Sequence, residues 1–332
     1  MANRHRLPTV LHRLLDLIVA PLGLIWFRIT GRTPTGTYRV MRRVHTVVPS
    51  IVDPRRREAT APQVGGVDGV VGHLSVPDLV AIREQLDSDG VAVLPWTLPQ
   101  ETVTSLTDLA GRVSCRLVGT GQDERDRPFD PDQPLATRYE VPESRLLADP
   151  TVQRMVVDPA FRRLAAGYLR AEPVNDMVSM WWTAPHDSPD LSAAAQMFHA
   201  DRDRLSFVKA FVYLTDVGPD DGPHVYVKGS HRDRPFALRA DRRFTDEEVA
   251  AHYPPEAHLS IEAPAGTVFM ADTLGLHRGT PPKAGNRLVF QLEYATGLFG
   301  APYETFPENR LRKDVRVEAR ANPRTYGRLL GA

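Results

Sequence analysis

Residues 196–217, QMFHADRDRLSFVKAFVYLTDV, place a histidine and an aspartate two positions apart just before a long apolar run. Alternate side chains of a β-strand lie on the same face, so His199 and Asp201 can present an imidazole and a carboxylate to one point. The run that follows has the apolar and aromatic composition of a strand. The stretch therefore predicts either two metal ligands held side by side at a strand start, or simply a solvated strand start.

Further apolar and aromatic runs follow residue 174. They are VSMWWT (178–183), LSFVKAFVYLTDV (205–217), PHVYVKGS (223–230), GTVFMAD (266–272) and RLVFQLEYATG (287–297). The separators GPDDGP and APAG are turn sequences, and most of the intervals are too short for the helices that parallel crossovers need. These features predict an antiparallel barrel or sandwich.

The first third of the chain is predicted to be helical. Residues 75–90 combine Ser75 as an N-cap, helical spacing of apolar residues and Gly90 as a stop signal. A short strand at 91–95 and helices at 99–112 and 159–169 are expected next. We divide the chain into an N-terminal apolar and basic extension (1–48), a linker (49–74), a main domain (75–300) and a C-terminal extension (301–332).

A third ligand is needed to hold a metal ion, and His277 supplies a candidate. It lies in DTLGLHRGTPP, a Gly- and Pro-rich turn between two predicted strands. Two histidines and one carboxylate suit non-haem Fe(II) and leave coordination positions open, which indicates catalysis rather than a structural ion. Ten residues later, Arg287 offers a planar guanidinium that can pair with the far carboxylate of a dicarboxylate cosubstrate.

A second His-x-Asp triplet, His231-Arg-Asp233, shows that the triplet alone is weak evidence for a metal site. His231 follows Gly-Ser and precedes a polar turn, whereas His199 leads into a strand. We interpret His231 as a structural turn histidine that bonds nearby backbone.

Two stretches, residues 198–232 and 266–287, together resemble the phytanoyl-CoA dioxygenase family of Fe(II)- and 2-oxoglutarate-dependent oxygenases. The resemblance extends roughly over residues 75–297. It implies a mainly β fold with flanking helices, namely the double-stranded β-helix or distorted jelly roll, which is cupin-like. It also implies that His199, Asp201 and His277 ligate iron, and that Arg287 binds the C5 carboxylate of 2-oxoglutarate.

The sequence departs from the family pattern at two places. Family members often carry a serine two residues after the distal histidine, but this chain has Gly279 there, and either the adjacent Thr280 replaces that hydroxyl or nothing does. His224 stands where an apolar residue is common, so it is either a substrate contact or a surface strand histidine. Trp182 is a further candidate substrate contact, although core packing is the alternative for it and for its neighbour Trp181.

Two further polar residues, Lys209 and Asp272, lie on or next to the strands that carry the predicted ligands. Lys209 shares the strand parity of His199 and Asp201, and we expect its ammonium to reach solvent by snorkelling. Asp272 either orients His277 by accepting a hydrogen bond from its ring or caps the turn.

The resemblance implies an oxidoreductase that uses Fe(II), 2-oxoglutarate and O2 to hydroxylate an organic small molecule, lipid-like or a secondary metabolite. Because the chain keeps Asp201, whereas related halogenating enzymes replace this carboxylate, hydroxylation or another oxidation is favoured over halogenation. Two alternatives remain open. One is a cupin-like enzyme or metal-dependent hydrolase that does not use 2-oxoglutarate, and the other is a catalytically inert binding module of the same fold.

Composition narrows the class of protein. The 332 residues are 42% hydrophobic and 25% charged, which is typical of a folded globular chain. The 41 basic and 41 acidic residues cancel, and this disfavours a nucleic-acid partner. Cys115 is the only cysteine, so no intramolecular disulfide can form and a cytoplasmic location is expected.

The N-terminal segment LLDLIVAPLGLIWF (14–27) is strongly apolar and follows three arginines. An aspartate and a proline interrupt it, and it is shorter than the ~20 residues of a membrane-spanning helix. We expect it to pack on the protein's own core. The alternative is a helix that lies on a membrane surface or lipid through residues 7–27, which would make the protein membrane-associated.

Overall fold

The computed structural model of this chain describes residues 9–47, 65–118, 126–186 and 195–331. The helices are α1 (Thr9–Thr30), α2 (Thr35–Val47), α3 (Val76–Asp89), α4 (Gln100–Arg112), α5 (Glu143–Leu146), α6 (Pro150–Val156), α7 (Pro159–Leu169), α8 (Asp246–Ala250), α9 (Lys313–Ala321) and α10 (Pro323–Tyr326). The strands are β1 (Val67–Gly69), β2 (Gly72–Leu74), β3 (Val91–Thr97), β4 (Arg116–Val118), β5 (Arg138–Glu140), β6 (Val174–Thr183), β7 (Phe207–Tyr213), β8 (His224–Val227), β9 (His258–Ile261), β10 (Thr267–Ala271), β11 (His277–Gly279) and β12 (Arg287–Ala295).

Two antiparallel sheets form the body of the protein. The larger sheet has seven strands in the order β3-β10-β7-β12-β6-β5-β4, and the smaller has the order β11-β8-β9. Neighbouring strands of both sheets are antiparallel. The predicted fold class, a mainly β jelly roll with flanking helices, is confirmed.

The larger sheet is buried on both faces because each face has its own covering layer. One face packs against helices α3, α4, α6 and α7, as shown by the main hydrophobic cluster. The other face meets the smaller sheet in a second cluster, where Phe211 and Phe269 of the larger sheet contact Tyr226 and Ile261 of the smaller one. The two sheets together form a flattened barrel. A residue's position along a strand of the larger sheet therefore decides whether its side chain lies under the helices or inside the barrel, between the two sheets.

Strand β12 illustrates this alternation. Leu288, Phe290 and Leu292 belong to the helix-side cluster. The intervening Arg287 and Gln291 line the cavity inside the barrel instead. The strand is buried at every position, so the inward polar residues are held away from bulk water, and each needs a partner or a ligand.

The helix signals in the first third of the chain behave as predicted. Ser75 and Asp78 form a capping box at the start of α3, and Gly90 ends that helix in the left-handed conformation with φ of 81°. The predicted helices at 99–112 and 159–169 correspond to α4 and α7.

Residues beyond 301 return to the main core. Phe306, Leu311 and Val315 are buried in the cluster beneath the larger sheet. Arg328 is also buried, and its Nη1 lies 2.9 Å from a Glu143 carboxylate oxygen. The domain boundaries given above stay a prediction, and most of the predicted linker, residues 48–64, lies outside the described residues.

The N-terminal helices pack on the body through one face of α1. A Cβ at Gly23 would lie 1.8 Å from Thr37 Oγ1, so glycine permits the close approach of α1 to α2. Phe27 meets Phe299 edge-on at 5.4 Å between ring centroids. The sequence predicts that the whole apolar segment packs on the core. This expectation is wrong for the face of α1 that points away from the body, because large apolar side chains on that face are exposed.

Among the described residues, neither α1 nor any other helix combines the length and apolar character needed to cross a membrane.

A buried histidine joins α2 to the body. The Nε2 atom of His45 lies 2.9 Å from the backbone carbonyl oxygen of Arg204, and the side chain is buried. Burial lowers the pKa of His45 to about 4. Its unfolded value is about 6.5, so its contribution to stability is complete above that pH and is lost as the pH falls through 6.5 toward 4.

Replacing His45 should therefore weaken the acid sensitivity of the fold. Between pH 7 and pH 4.5, protonation of His45 is expected to cost roughly 2.5 kcal/mol of the free energy of unfolding. We predict that the loss of stability over this range is about 2 kcal/mol smaller in His45→Gln than in the wild type. Denaturant titration of both proteins at each pH measures the difference. Parallel losses in the two proteins would contradict the assignment.

Candidate metal centre

His199 and His277 are joined through their backbones. The two residues form an antiparallel bridge, in which His199 N–H donates to the His277 carbonyl (3.0 Å) and His277 N–H donates to the His199 carbonyl (2.9 Å). Directly opposed residues of an antiparallel pair project to the same face. The two rings accordingly lie 4.2 Å apart between centroids. The geometry of the main chain thus brings together two histidines that are distant in sequence.

Asp201 completes the group. Its N–H donates to the Thr273 carbonyl at 2.8 Å, which ties it to the same turn that leads to His277. Its Oδ1 lies 3.6 Å from His199 Nε2, and its Oδ2 lies 3.5 Å from His277 Nε2. Metal–ligand bonds of about 2.0–2.2 Å allow two donors on one ion to be up to twice that distance apart. The three predicted ligands are therefore brought together at a spacing that a single cation can bridge.

The backbone also sets the tautomer of each imidazole. Nδ1 of His199 lies 2.9 Å from the Met197 carbonyl oxygen, and Nδ1 of His277 lies 3.0 Å from the Gly275 carbonyl oxygen. A carbonyl oxygen only accepts, so Nδ1 carries the proton and Nε2 keeps its lone pair toward Asp201. Burial, and then the neighbouring His277, hold the pKa of His199 well below its usual value. The donor set is that of neutral imidazoles and a carboxylate, which fits a divalent transition metal.

Asp272 caps the turn before His277. Its Oδ1 accepts from Leu274 N–H at 3.0 Å, and its Oδ2 accepts from the Tyr168 hydroxyl at 2.5 Å. The His277 ring is oriented by a backbone carbonyl, as described above, so the turn-capping interpretation of Asp272 is the one that these contacts favour.

Lys209 is buried inside the barrel and bonds the candidate ligand Asp201. Its Nζ lies 2.8 Å from Asp201 Oδ2, 3.1 Å from Glu293 Oε2 and 3.4 Å from Asp203 Oδ2. The expectation that Lys209 snorkels to solvent is wrong, because its side chain is only 7% exposed and its strand position points inward. Three acidic side chains surround the buried ammonium, and the Asp201 and Asp203 carboxylates compensate its charge.

This ion-pair cluster sets the charge of Asp201. Burial raises the pKa of Asp201, but the Lys209 ammonium, together with His277 and His199, outweighs burial and holds that pKa well below the usual range. Because Lys209 bonds Oδ2, the other carboxylate oxygen is the freer one for a metal ion. Burial, with Asp176 nearby, raises the pKa of the Glu293 carboxyl to about 8.

A cavity of about 720 Å³ opens beside the three candidate ligands. Arg287 lies on its wall and is 4% exposed. Its Nη2 donates weakly to Thr183 Oγ1 at 3.5 Å, while its Nε and Nη1 are buried without a hydrogen-bond partner among the described residues. A Cβ at Gly279 would lie 2.6 Å from Arg287 Nη2, so glycine at this position leaves room for the guanidinium. A carboxylate in the cavity would satisfy these donors.

The structure does not connect Thr280 to this arginine. No described hydrogen bond joins the two side chains, and Thr280 is absent from the lining of the cavity. Within the described residues, the hydroxyl that bonds Arg287 belongs to Thr183. The role predicted for Thr280 stays a prediction without a supporting contact.

The two neighbouring tryptophans face opposite sides of β6. Trp181 lines the cavity, and the Arg138 guanidinium lies 4.3 Å from its ring centroid. Trp182 stacks on Phe129 at 4.6 Å between centroids and packs beneath the helices. This placement corrects the choice of Trp182 as a candidate substrate contact, because the parity of the strand directs its neighbour to the cavity.

His224 lies within the site rather than on the surface. It is buried, lines the cavity and stacks on His277 with ring centroids 5.5 Å apart. Its Nε2 is buried and has no hydrogen-bond partner in the described part of the chain. Burial, and then His277 and Arg287, keep the pKa of His224 well below its usual value. A neutral imidazole there is available to a bound ligand.

Sequence reasoning missed several residues of this cavity. Glu293 and Asp203 were not singled out, although the alternation of β12 could have indicated that Glu293 shares the inward face with Arg287. Arg243 and Tyr303 also line the cavity. They come from loops whose course carries no periodic signal, so the sequence offered no route to them.

Comparison with known proteins gives one family match. The sequence profile described as Phytanoyl-CoA dioxygenase (PhyH) matches residues 86–285. No curated protein matches the chain.

Several solved structures resemble the chain. The epimerase SnoN from nogalamycin biosynthesis, in complex with Fe3+, alpha ketoglutarate and nogalamycin RO, is 19% identical with a TM-score of 0.46, and 66% of this chain and 83% of that chain are covered. HygX from Streptomyces hygroscopicus, with nickel and 2-oxoglutarate bound, is 20% identical with a TM-score of 0.46, and 70% of this chain and 93% of that chain are covered. At these values, neither likeness assigns an activity to this chain.

Removing Lys209 should destabilise the fold. In Lys209→Met, the Asp201 and Asp203 carboxylates lose their common counter-charge, and we predict a loss of roughly 3 kcal/mol in the free energy of unfolding. Denaturant titration with and without Co(II) measures the loss. Adding Co(II) should raise the free energy of unfolding more in the variant than in the wild type, because the bound ion neutralises Asp201.

Lys283→Met is the matched control, because Lys283 forms an exposed ion pair with Asp220. This control should change stability by less than about 0.5 kcal/mol. A Lys209→Met protein as stable as the control would show that the cluster does not depend on the ammonium.

Proposed function

The chain belongs to the phytanoyl-CoA dioxygenase family, and on this premise we propose that it is an Fe(II)- and 2-oxoglutarate-dependent oxygenase acting on a small organic molecule. His199, Asp201 and His277 would ligate the iron, Arg287 would hold the far carboxylate of 2-oxoglutarate, and O2 would be the oxidant.

The observation that carries this proposal is the pairing of two features in one cavity. The candidate ligands His199, Asp201 and His277 lie on the wall of the same cavity as the Arg287 guanidinium. Two buried nitrogens of that guanidinium lack hydrogen-bond partners among the residues that the structure describes. Burying unsatisfied donors of a cation is costly unless a ligand supplies acceptors. A dicarboxylate that chelates the metal at one end and meets the arginine at the other accounts for both features.

Bound Fe(II) with 2-oxoglutarate supplies the oxidising chemistry, in which 2-oxoglutarate is converted to succinate and CO2 while O2 is consumed. The protein's residues perform positioning. The Met197 and Gly275 carbonyls hold the two imidazoles in the tautomer that offers Nε2. Lys209 keeps Asp201 ionised and holds one of its oxygens. Three protein ligands on one side leave the opposite side of an ion free for cosubstrate and oxygen.

We propose a polar substrate rather than a long acyl chain. The lining of the cavity carries charges of both signs, from Arg138, Glu140, Arg243 and Glu304. An acyl chain would exclude water from these groups without replacing its hydrogen bonds. A molecule with several hydroxyl, amino or carboxyl groups would satisfy them. The retained carboxylate of Asp201 favours hydroxylation or another oxidation over halogenation.

Arg287→Lys tests the proposal. Lysine keeps the charge but loses the planar pair of donors, so we predict a 10- to 100-fold weaker affinity for 2-oxoglutarate, on the order of 1.4–2.7 kcal/mol. Affinity for Co(II) alone should stay unchanged. Anaerobic calorimetry, with Co(II) and then 2-oxoglutarate as titrants, measures both quantities.

Arg278→Lys is the matched control, because Arg278 lies on the same β11 strand as His277 but pairs with Asp246 outside the cavity. Unchanged 2-oxoglutarate affinity in Arg287→Lys would remove the arginine from the account. Metal binding without any 2-oxoglutarate binding in the wild type would favour the hydrolase alternative. A wild type that binds both but releases no succinate above a no-enzyme control, across a panel of polar metabolites, would favour an inert binding module.

A further inference from the structure

An exposed apolar stripe runs along helix α1. Four large apolar side chains are exposed although they stand at helical spacing on one face: Leu22 (61%), Ile25 (55%), Trp26 (55%) and Ile29 (76%). In the sequence, the same three- and four-residue spacing continues toward the N-terminus with Ile18, Leu15 and Leu11. Contiguous apolar surface of this kind on a folded protein marks an interaction site.

The stripe belongs to a helix that is anchored on its opposite side. Gly23 permits close contact with Thr37 of α2, and Phe27 packs on Phe299. At the C-terminal end of α1, the Tyr303 hydroxyl donates to the Gly31 carbonyl at 2.9 Å. The helix is therefore held to the body while its apolar stripe points away from it.

The segment that carries the stripe has basic residues but no acidic ones. Residues 17–52 contain no aspartate or glutamate, although the chain as a whole has a formal net charge of +0. The arginines of this segment are Arg28, Arg32, Arg39, Arg42 and Arg43. Arg28, Arg32 and Arg39 are exposed, whereas Arg42 pairs with Asp241. The segment thus combines an apolar stripe with a local excess of exposed arginines.

A partner that covers the stripe must offer an apolar surface to its side chains and negative charge to the neighbouring arginines. A second copy of the chain would bring another set of arginines to the same place, and like charges repel. The positions that flank the stripe carry Val19, Pro21 and Arg28, not the oppositely charged pairs that stabilise a two-stranded coiled coil. A bilayer with anionic lipids complements both features, because it offers acyl chains to the stripe and negative headgroups to the arginines. Tryptophan is favoured at that boundary.

We propose that α1 docks this protein on the surface of an anionic phospholipid bilayer. The stripe Leu22, Ile25, Trp26 and Ile29 enters the boundary of the acyl chains, and Arg28, Arg32 and Arg39 contact the headgroups. The helix lies in the plane of the surface and does not cross it.

Flotation of the full chain with 100-nm vesicles tests this proposal without requiring metal or substrate. We compare phosphatidylcholine vesicles with vesicles that contain 30% phosphatidylglycerol. The wild type should float with the anionic vesicles, at least tenfold more than with the zwitterionic ones, and high salt should reduce this binding. Ile25→Glu/Ile29→Glu should lower the partition at least tenfold, and Arg28→Glu/Arg32→Glu should remove the preference for anionic lipid. Far-UV circular dichroism verifies that each variant is folded.

Phe236→Glu is the matched control, because Phe236 is a large apolar residue, 87% exposed, outside α1. Its binding to vesicles should equal that of the wild type. Three results would overturn the proposal: no flotation of the wild type, equal loss in Phe236→Glu, or wild-type flotation that the two α1 double variants leave unchanged. If the wild type does not float but light scattering shows a dimer that Ile25→Glu/Ile29→Glu dissociates, the stripe covers a second copy instead.

Discussion

The site depends on the two reciprocal backbone hydrogen bonds between His199 and His277. Each such bond contributes only about 1 kcal/mol, but together they fix which residues oppose each other. A slip of one residue in this pairing would turn one imidazole to the other face of its strand and separate the donor atoms. Asp201 is fixed by a third bond to the same turn. Because main-chain groups set the geometry, the side chains keep their Nε2 and carboxylate atoms for a ligand.

The interior of the barrel holds charged and polar groups whose burial costs free energy. Lys209 and three acidic side chains are held out of bulk water, and Arg287 and His224 keep buried polar atoms that have no hydrogen-bond partner in the described part of the chain. Burying such groups lowers the free energy of unfolding unless they are paired within the protein or bind a ligand. The distribution is informative, since the paired cluster lies behind Asp201 and the unpaired donors face the cavity. The paired cluster keeps Asp201 negatively charged, and the unpaired groups of Arg287 and His224 can bind a ligand in the cavity.

Much of this arrangement could be predicted from the sequence. The period-two pattern of β12, the capping signals of α3 and the two-residue spacing of His199 and Asp201 are local, so the sequence carries them directly. His277 is distant in the sequence, and it could be predicted only from its place in a turn between two strands and from the family resemblance. The burial of Lys209 could not be predicted, because it depends on Glu293 across the neighbouring strand. The choice between Trp181 and Trp182 required the pairing of β6 with β12. The exposure of α1 followed only from the contact at Gly23, which leaves one face of the helix uncovered.

The central claim is that His199, Asp201 and His277 hold one metal ion between them. Crystals of the protein grown anaerobically with Fe(II), with anomalous difference maps on both sides of the iron absorption edge, test it most directly. We predict a single strong peak about 2.0–2.2 Å from Nε2 of each histidine and from one Asp201 oxygen, with the opposite side of the ion open to water or 2-oxoglutarate. A peak at other residues, or imidazoles that point away from each other in the absence of a peak, would contradict the account.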